Sequence, residues 1–174
     1  QGEEGEEMRP AVCATFAPGI SVVQALPLIR QAGFEAVSLT AEPWEMCTYL
    51  TEDGRKTLRG LLEENRLAVD SLHAPYPRAD RLFSLYDADR QEAVRLCKLA
   101  IDAAAELGAA AVVIHLIQPY DIPEGHARRM MVEACRGSVS LLASHAARKG
   151  VKLALENGQE ASYDEVVGRF LEEF

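Results

Sequence analysis

The stretch "IDAAAELGAAAVVIHL" (101–116) holds the two signals that decide the fold. Its first half continues a helical pattern in which Val94, Cys97, Ile101 and Ala104 recur at intervals of three, four and three, one face of a 3.6-residue period. Gly108 then stops the helix, and "AAVVIHL" (110–116) runs on as a nearly continuous apolar strand. Helix, glycine and buried strand together make the junction of an α/β unit.

The unit repeats outward in both directions. Upstream, "AVCATF" (11–16) reads as a strand, and "SVVQALPLIRQAGF" (21–34) reads as a helix with a Ser21/Gln24 capping box and Gly33 as its C-cap. Pro27 inside that helix should kink it or delay its start. "EAVSLT" (35–40) is the next strand. A helix over 51–65 stops at Asn65, "LAVDSL" (67–72) is a strand, and the quoted helix begins near residue 88. Downstream, a helix of about 124–149 stops at Gly150, "VKLALE" (151–156) is a strand, and "SYDEVVGRFLEEF" (162–174) opens a final helix.

Strands that alternate with helices imply right-handed crossovers and a parallel sheet with both faces covered. Five βα units fit either an open doubly wound sheet or part of a (β/α)8 barrel. No GxGxxG or GxxxxGK[ST] follows any strand, so the nucleotide signatures of an open sheet are missing, which favours the barrel. A complete barrel takes ~250 residues and eight units. The 174 residues therefore hold about the first five units of a TIM-type barrel over 11–174, strands 1–5 and helices 1–5. Residues 1–10, rich in glutamate and without an apolar core, read as a disordered acidic tail, with Met8 as the natural start.

The composition, 48% hydrophobic and 26% charged, is that of a globular protein. A net charge of −9 without a Lys/Arg cluster argues against a nucleic-acid backbone or an anionic membrane surface as partner. No run approaches the ~20 apolar residues that span a bilayer. The four cysteines show no CxxC spacing, which removes zinc-ribbon and thioredoxin readings. Three lie in apolar-periodic segments, so reduced core cysteines and a cytoplasmic location are expected.

His73, His115 and Glu156 each stand at or just past the C-terminal end of a strand, roughly forty residues apart in both intervals. A parallel sheet brings all three to one edge, and in a barrel that edge carries the active site. One strand-end histidine is commonly a hydrogen-bonded structural residue. Three polar residues at equivalent positions point to a shared site. Two neutral imidazoles and a carboxylate suit zinc, manganese or iron. His126 and His145 lie in a helix without this pattern and read as exposed or interhelical.

Smaller features flank the trio. Asn157 could orient Glu156 or bind a hydroxyl. Tyr76, in a loop stiffened by Pro75 and Pro77, lines a pocket or covers the rim. Arg81 and Arg90 could contact an anionic substrate group but read better as solvated residues at a helix start. Trp44 and Tyr49, after the second strand, could form an apolar wall for a ligand.

"VDSLHAPY", "RQEAVRLCKLAIDAAAELGAAAVVIHL" and "VKLALENG" together resemble the xylose isomerase-like TIM-barrel superfamily, which includes sugar-phosphate isomerases and epimerases and the endonuclease IV group. The resemblance runs through 11–174. It implies that Glu156 binds a divalent metal (Mn, Zn, Co or Mg) and serves as acid/base. It implies that His73 and His115 contact substrate or join the metal; Asn157, Tyr76 and Trp44 are expected around the substrate from their own positions. Two departures matter: "AVSLT" has Ser38 where many members carry a glutamate, and the remaining ligands of the family lie on strands 6–8, beyond Phe174.

The implied activity is isomerisation or epimerisation of a sugar or sugar phosphate by proton transfer through an enediolate, incomplete in five units alone. Strands 1 and 5 would be unpaired edges that invite completion by the missing barrel half, by a partner or by a homo-oligomer. The alternatives are a metal-dependent abasic-site endonuclease of the endonuclease IV type, which would want a basic groove, and a non-catalytic binding domain on the same scaffold, which would need no metal.

Overall fold

The computed structural model describes residues 10–40, 49–117, 122–158 and 160–174. Trp44, Cys47 and nearly all of the expected acidic tail lie outside the described residues. The elements alternate without exception among the described residues: β1 (Ala11–Cys13), α1 (Val22–Gln31), β2 (Ala36–Thr40), α2 (Glu52–Asn65), β3 (Ala68–His73), α3 (Asp87–Leu107), β4 (Ala111–Ile114), α4 (Gly125–Lys149), β5 (Lys152–Leu155) and α5 (Ala161–Glu173).

All five strands join one sheet in the order β1-β2-β3-β4-β5, every neighbouring pair parallel. Doubly wound sheets reverse direction at a switch point, giving orders such as 3-2-1-4-5. A sequential order never reverses, so it is the order of a barrel wall. The architecture is α/β, the first five units of a TIM-type barrel.

The helix-facing row of the sheet carries Val37, Leu39, Leu72, Val112 and Ile114, all buried. Against it pack Leu26 and Ile29 of α1, Leu58 and Leu62 of α2, and the expected Val94, Cys97, Ile101 and Ala104 of α3. The opposite row is different. Ser38, Ser71, Ala111, Val113 and Ala154 are small and only half-buried, because no described element covers them. The expectation of two covered faces therefore holds for one face only.

Local chemistry sets the helix ends. Gln24 N–H donates to Ser21 Oγ at 3.3 Å and Ser21 N–H donates to Gln24 Oε1 at 3.0 Å, the anticipated capping box. With that start secured, α1 begins at Val22 and is not delayed by Pro27. Gly108 and Gly150 close α3 and α4 in the left-handed conformation, at φ 75° and 69°, where a side chain would be strained. The end of α2 departs from expectation. Asn65 is still helical and its Nδ2 donates back to Leu61 O at 2.8 Å, so Arg66, at φ 52°, takes the left-handed position.

Cys13, Cys97 and Cys135 are free. Cys97 and Cys135 are core residues as expected, but Cys13 is exposed because β1 is a three-residue edge strand. Among the described residues no helix is long and apolar enough to cross a membrane.

Candidate metal centre

β3 ends in His73, β4 runs into His115 and β5 into Glu156. Because the three strands are adjacent and in parallel register, their C-terminal ends meet. Glu156 Oε2 stands 3.3 Å from His73 Nε2 and 3.2 Å from His115 Nε2. The imidazole rings meet edge to face at a centroid distance of 4.6 Å. One ligand atom from each of the three residues lies within 4.8 Å of the other two. The trio read from the strand ends is one cluster.

The far side of each ring assigns its tautomer. His73 Nδ1 is 2.8 Å from the Ala74 carbonyl and His115 Nδ1 is 3.2 Å from Asp80 Oδ2. A carbonyl and a carboxylate only accept, so each Nδ1 carries the proton and donates. In the neutral rings, both Nε2 atoms then present lone pairs to Glu156 Oε2. Three acceptors aimed at one point repel unless a proton or a cation lies between them. An ion with bonds of ~2.0–2.2 Å would space tetrahedral ligands ~3.3–3.6 Å apart, close to the two nitrogen–oxygen separations here. The residues fit a divalent metal.

Burial alone would pull the pKa of His115 down, but the hydrogen bond and charge of Asp80, followed by the charge and hydrogen bond of Glu156, outweigh it and leave the pKa raised. His115 and Asp80 are buried side by side, with side-chain exposures of 5% and 2%. Glu156 is 39% exposed, so the cluster opens to solvent through the carboxylate.

Tyr76 flanks the pair, its ring 5.0 Å from His73 and 6.0 Å from His115, and is exposed. It therefore lines the site as well as its rim. Asn157 follows Glu156 and is exposed. Arg81 pairs with Asp89 at 3.1 Å and Arg90 binds Asp87 and the Ser84 carbonyl, so both serve the start of α3. His126 is exposed, and His145 bonds Asp102 of α3 at 3.0 Å, an interhelical contact.

Three residues were missed or misread at the level of sequence. Tyr49 is fully buried and donates its hydroxyl to the His73 carbonyl, so it braces β3 and is no wall for a ligand. Tyr163 of α5 accepts from Leu116 N–H at 2.9 Å and braces the end of β4 in the same way. Its inward position was readable from the stripe Tyr163, Val166, Val167, Phe170. Asp80 sits in an irregular loop where no periodicity marks it.

A family model described as the xylose isomerase-like TIM barrel matches residues 26–173. A search of curated proteins by sequence finds no match. Among solved structures, a D-tagatose 3-epimerase-like protein superposes with a TM-score of 0.72 at 24% identity, over 86% of this chain and 53% of that one. The apo form of 3-keto-D-glucoside 4-epimerase, YcjR, from E. coli gives a TM-score of 0.72 at 16% identity, over 96% and 64%. An L-ribulose 3-epimerase gives 0.69 at 17% identity, over 93% and 58%. At these identities the likeness is one of fold, and the chain spans between about half and two-thirds of the length of these relatives. The family match and the sequential parallel sheet agree: this chain belongs to the xylose isomerase-like TIM barrel family.

Proposed function

We propose that this chain carries the strand 3–5 portion of a divalent-metal-dependent active site that isomerises or epimerises a sugar or sugar phosphate. One observation carries the reading: His73 Nε2, His115 Nε2 and Glu156 Oε2 converge at the C-terminal edge of the sheet, all within 4.8 Å of one another. The epimerase names of the structural neighbours support a sugar as substrate.

When bound, manganese, zinc, cobalt or magnesium supplies Lewis acidity to the carbonyl and hydroxyl oxygens of the substrate. The residues of the chain do the rest. Glu156, with its carboxylate open to solvent, takes the proton from the carbon beside the carbonyl, and the resulting enediolate is reprotonated at the neighbouring carbon or on the opposite face. Both imidazoles would hold the ion through Nε2, each ring fixed from behind by its Nδ1–H. Tyr76 offers its ring to the C–H face of the sugar, Asn157 its amide to a hydroxyl, and Trp44 a further apolar contact.

The return of the proton needs a second acid/base. The half-buried inner row and the edge of β5, which no further strand among the described residues pairs, support its arrival on further strands, from a longer chain, a partner or a second copy. Free Cys97 and Cys135 in the core suit a reducing cytoplasm.

The test is a screen of ketoses and their phosphates in D2O with manganese, reading deuterium at the carbon beside the carbonyl. The protein is expected to wash deuterium into one sugar class, and Glu156→Gln to abolish it. Exchange that survives Glu156→Gln would overturn the assignment of the base.

A further inference from the structure

We infer that Asp80 is a positioning residue, whose carboxylate locks His115 in the tautomer that aims a bare Nε2 at Glu156. The inference rests on the reading of the trio as a metal site. Asp80 is 3% exposed, and a carboxylate taken that far from water is costly unless it is bonded. Its side chain meets His115 Nδ1 at 3.2 Å. The neighbouring guanidiniums are committed elsewhere, Arg78 to Glu92 and Arg81 to Asp89.

The loop keeps the carboxylate in place. Ala79 N–H donates to the Pro75 carbonyl at 2.7 Å and Asp80 N–H to the Pro77 carbonyl at 3.3 Å. Leu82 and Phe83, fully buried, anchor the chain just beyond. The loop that leaves His73 therefore returns to grip the histidine of the next strand.

His73 shows what the carboxylate adds. Its Nδ1–H is fixed by a backbone carbonyl, which orients the ring but brings no charge. His115 has an anion behind it. Glu156 and Asp80 together give the cluster two formal negative charges, matched to a divalent cation, where Glu156 alone would give one. A carboxylate behind an imidazole ligand also raises the basicity of its other nitrogen.

The experiment uses protein with 15N-labelled histidine, long-range nitrogen–proton spectra to read each tautomer, and zinc affinity by competition with a chromophoric chelator. Asp80→Asn preserves volume and removes the charge. We expect its zinc affinity to fall by about 10- to 100-fold, with the ring signals of His115 displaced and those of His73 and His126 unmoved. Unchanged His115 signals and zinc affinity within about twofold of wild type, well inside that range, would overturn the inference.

The wild-type spectrum carries the test even if the variant fails to fold. A metal-free His115 that holds its proton on Nε2 in mildly alkaline buffer refutes the lock outright. A wild-type His115 with its proton on Nδ1 in a protein that binds no zinc supports the lock and sinks the metal reading.

Discussion

Glu156 is the residue on which the site turns, because its Oε2 is the atom both imidazoles face. Glu156→Gln replaces one acceptor by a donor. Zinc at a hundredfold excess over its dissociation constant should stabilise the wild type by about 2.7 kcal/mol and leave Glu156→Gln unmoved. A thermal shift with and without zinc reads this, and equal shifts in both proteins would refute the role of the carboxylate. His73, His115 and Glu156 were legible in the sequence because each interrupts an apolar strand at the same place. Asp80 was not, since an acid in a loop looks the same whether it faces water or a buried imidazole. Trp44 remains a sequence expectation.

Packing between elements gives three further outcomes. Tyr163 joins α5 to the end of β4 through Leu116 N–H. Tyr163→Phe should strand that buried donor, destabilise the fold by about 1–3 kcal/mol in urea unfolding, and weaken zinc binding through the adjacent His115. Wild-type stability in this variant would show that the hydroxyl does not brace the strand.

Arg66 is the converse case. The left-handed conformation is strained for any residue but glycine, so Arg66→Gly should raise stability by about 0.5–1 kcal/mol, and a lower unfolding midpoint would refute the strain.

Between α3 and α4, Asp102 accepts from His145 at 3.0 Å and from Lys149 at 2.9 Å. Burial pushes the pKa of Asp102 up, but the bonds to Lys149 and His145 outweigh it and hold the carboxyl below its usual value. The pair therefore adds stability above the ordinary carboxyl pKa and loses it as pH falls through the lowered one. As it is partly exposed, its worth is below about 1 kcal/mol. Acid unfolding should be slightly less steep in Asp102→Asn, and an identical acid limb would mean that the pair contributes nothing.

Helix starts and glycine stops were written locally and so could be read, as at Ser21, Gly108 and Gly150. The stop at Arg66 and the register shift between Val37 and Ser38 against β3 left no local mark in the sequence, since neither falls on a glycine or proline.

At the scale of the molecule, periodicity alone showed the alternation of helix and strand but left barrel and open sheet both possible. The sequential strand order resolves that choice. The same order explains why the chemistry gathers on one edge. It also explains why one face is half-bare: among the described residues nothing packs against the inside of the arc. Composition could not reveal this, since Ser38, Ser71, Ala111, Val113 and Ala154 are small residues that suit a tightly filled interior or an open one. The metal site proposed for this arc spans three adjacent strands. Native mass spectrometry of the protein with zinc reads it without any substrate: one ion per chain is expected, lost in Glu156→Ala and in His73→Ala. A protein that carries no ion, or one that keeps its ion after Glu156→Ala, would contradict that proposal.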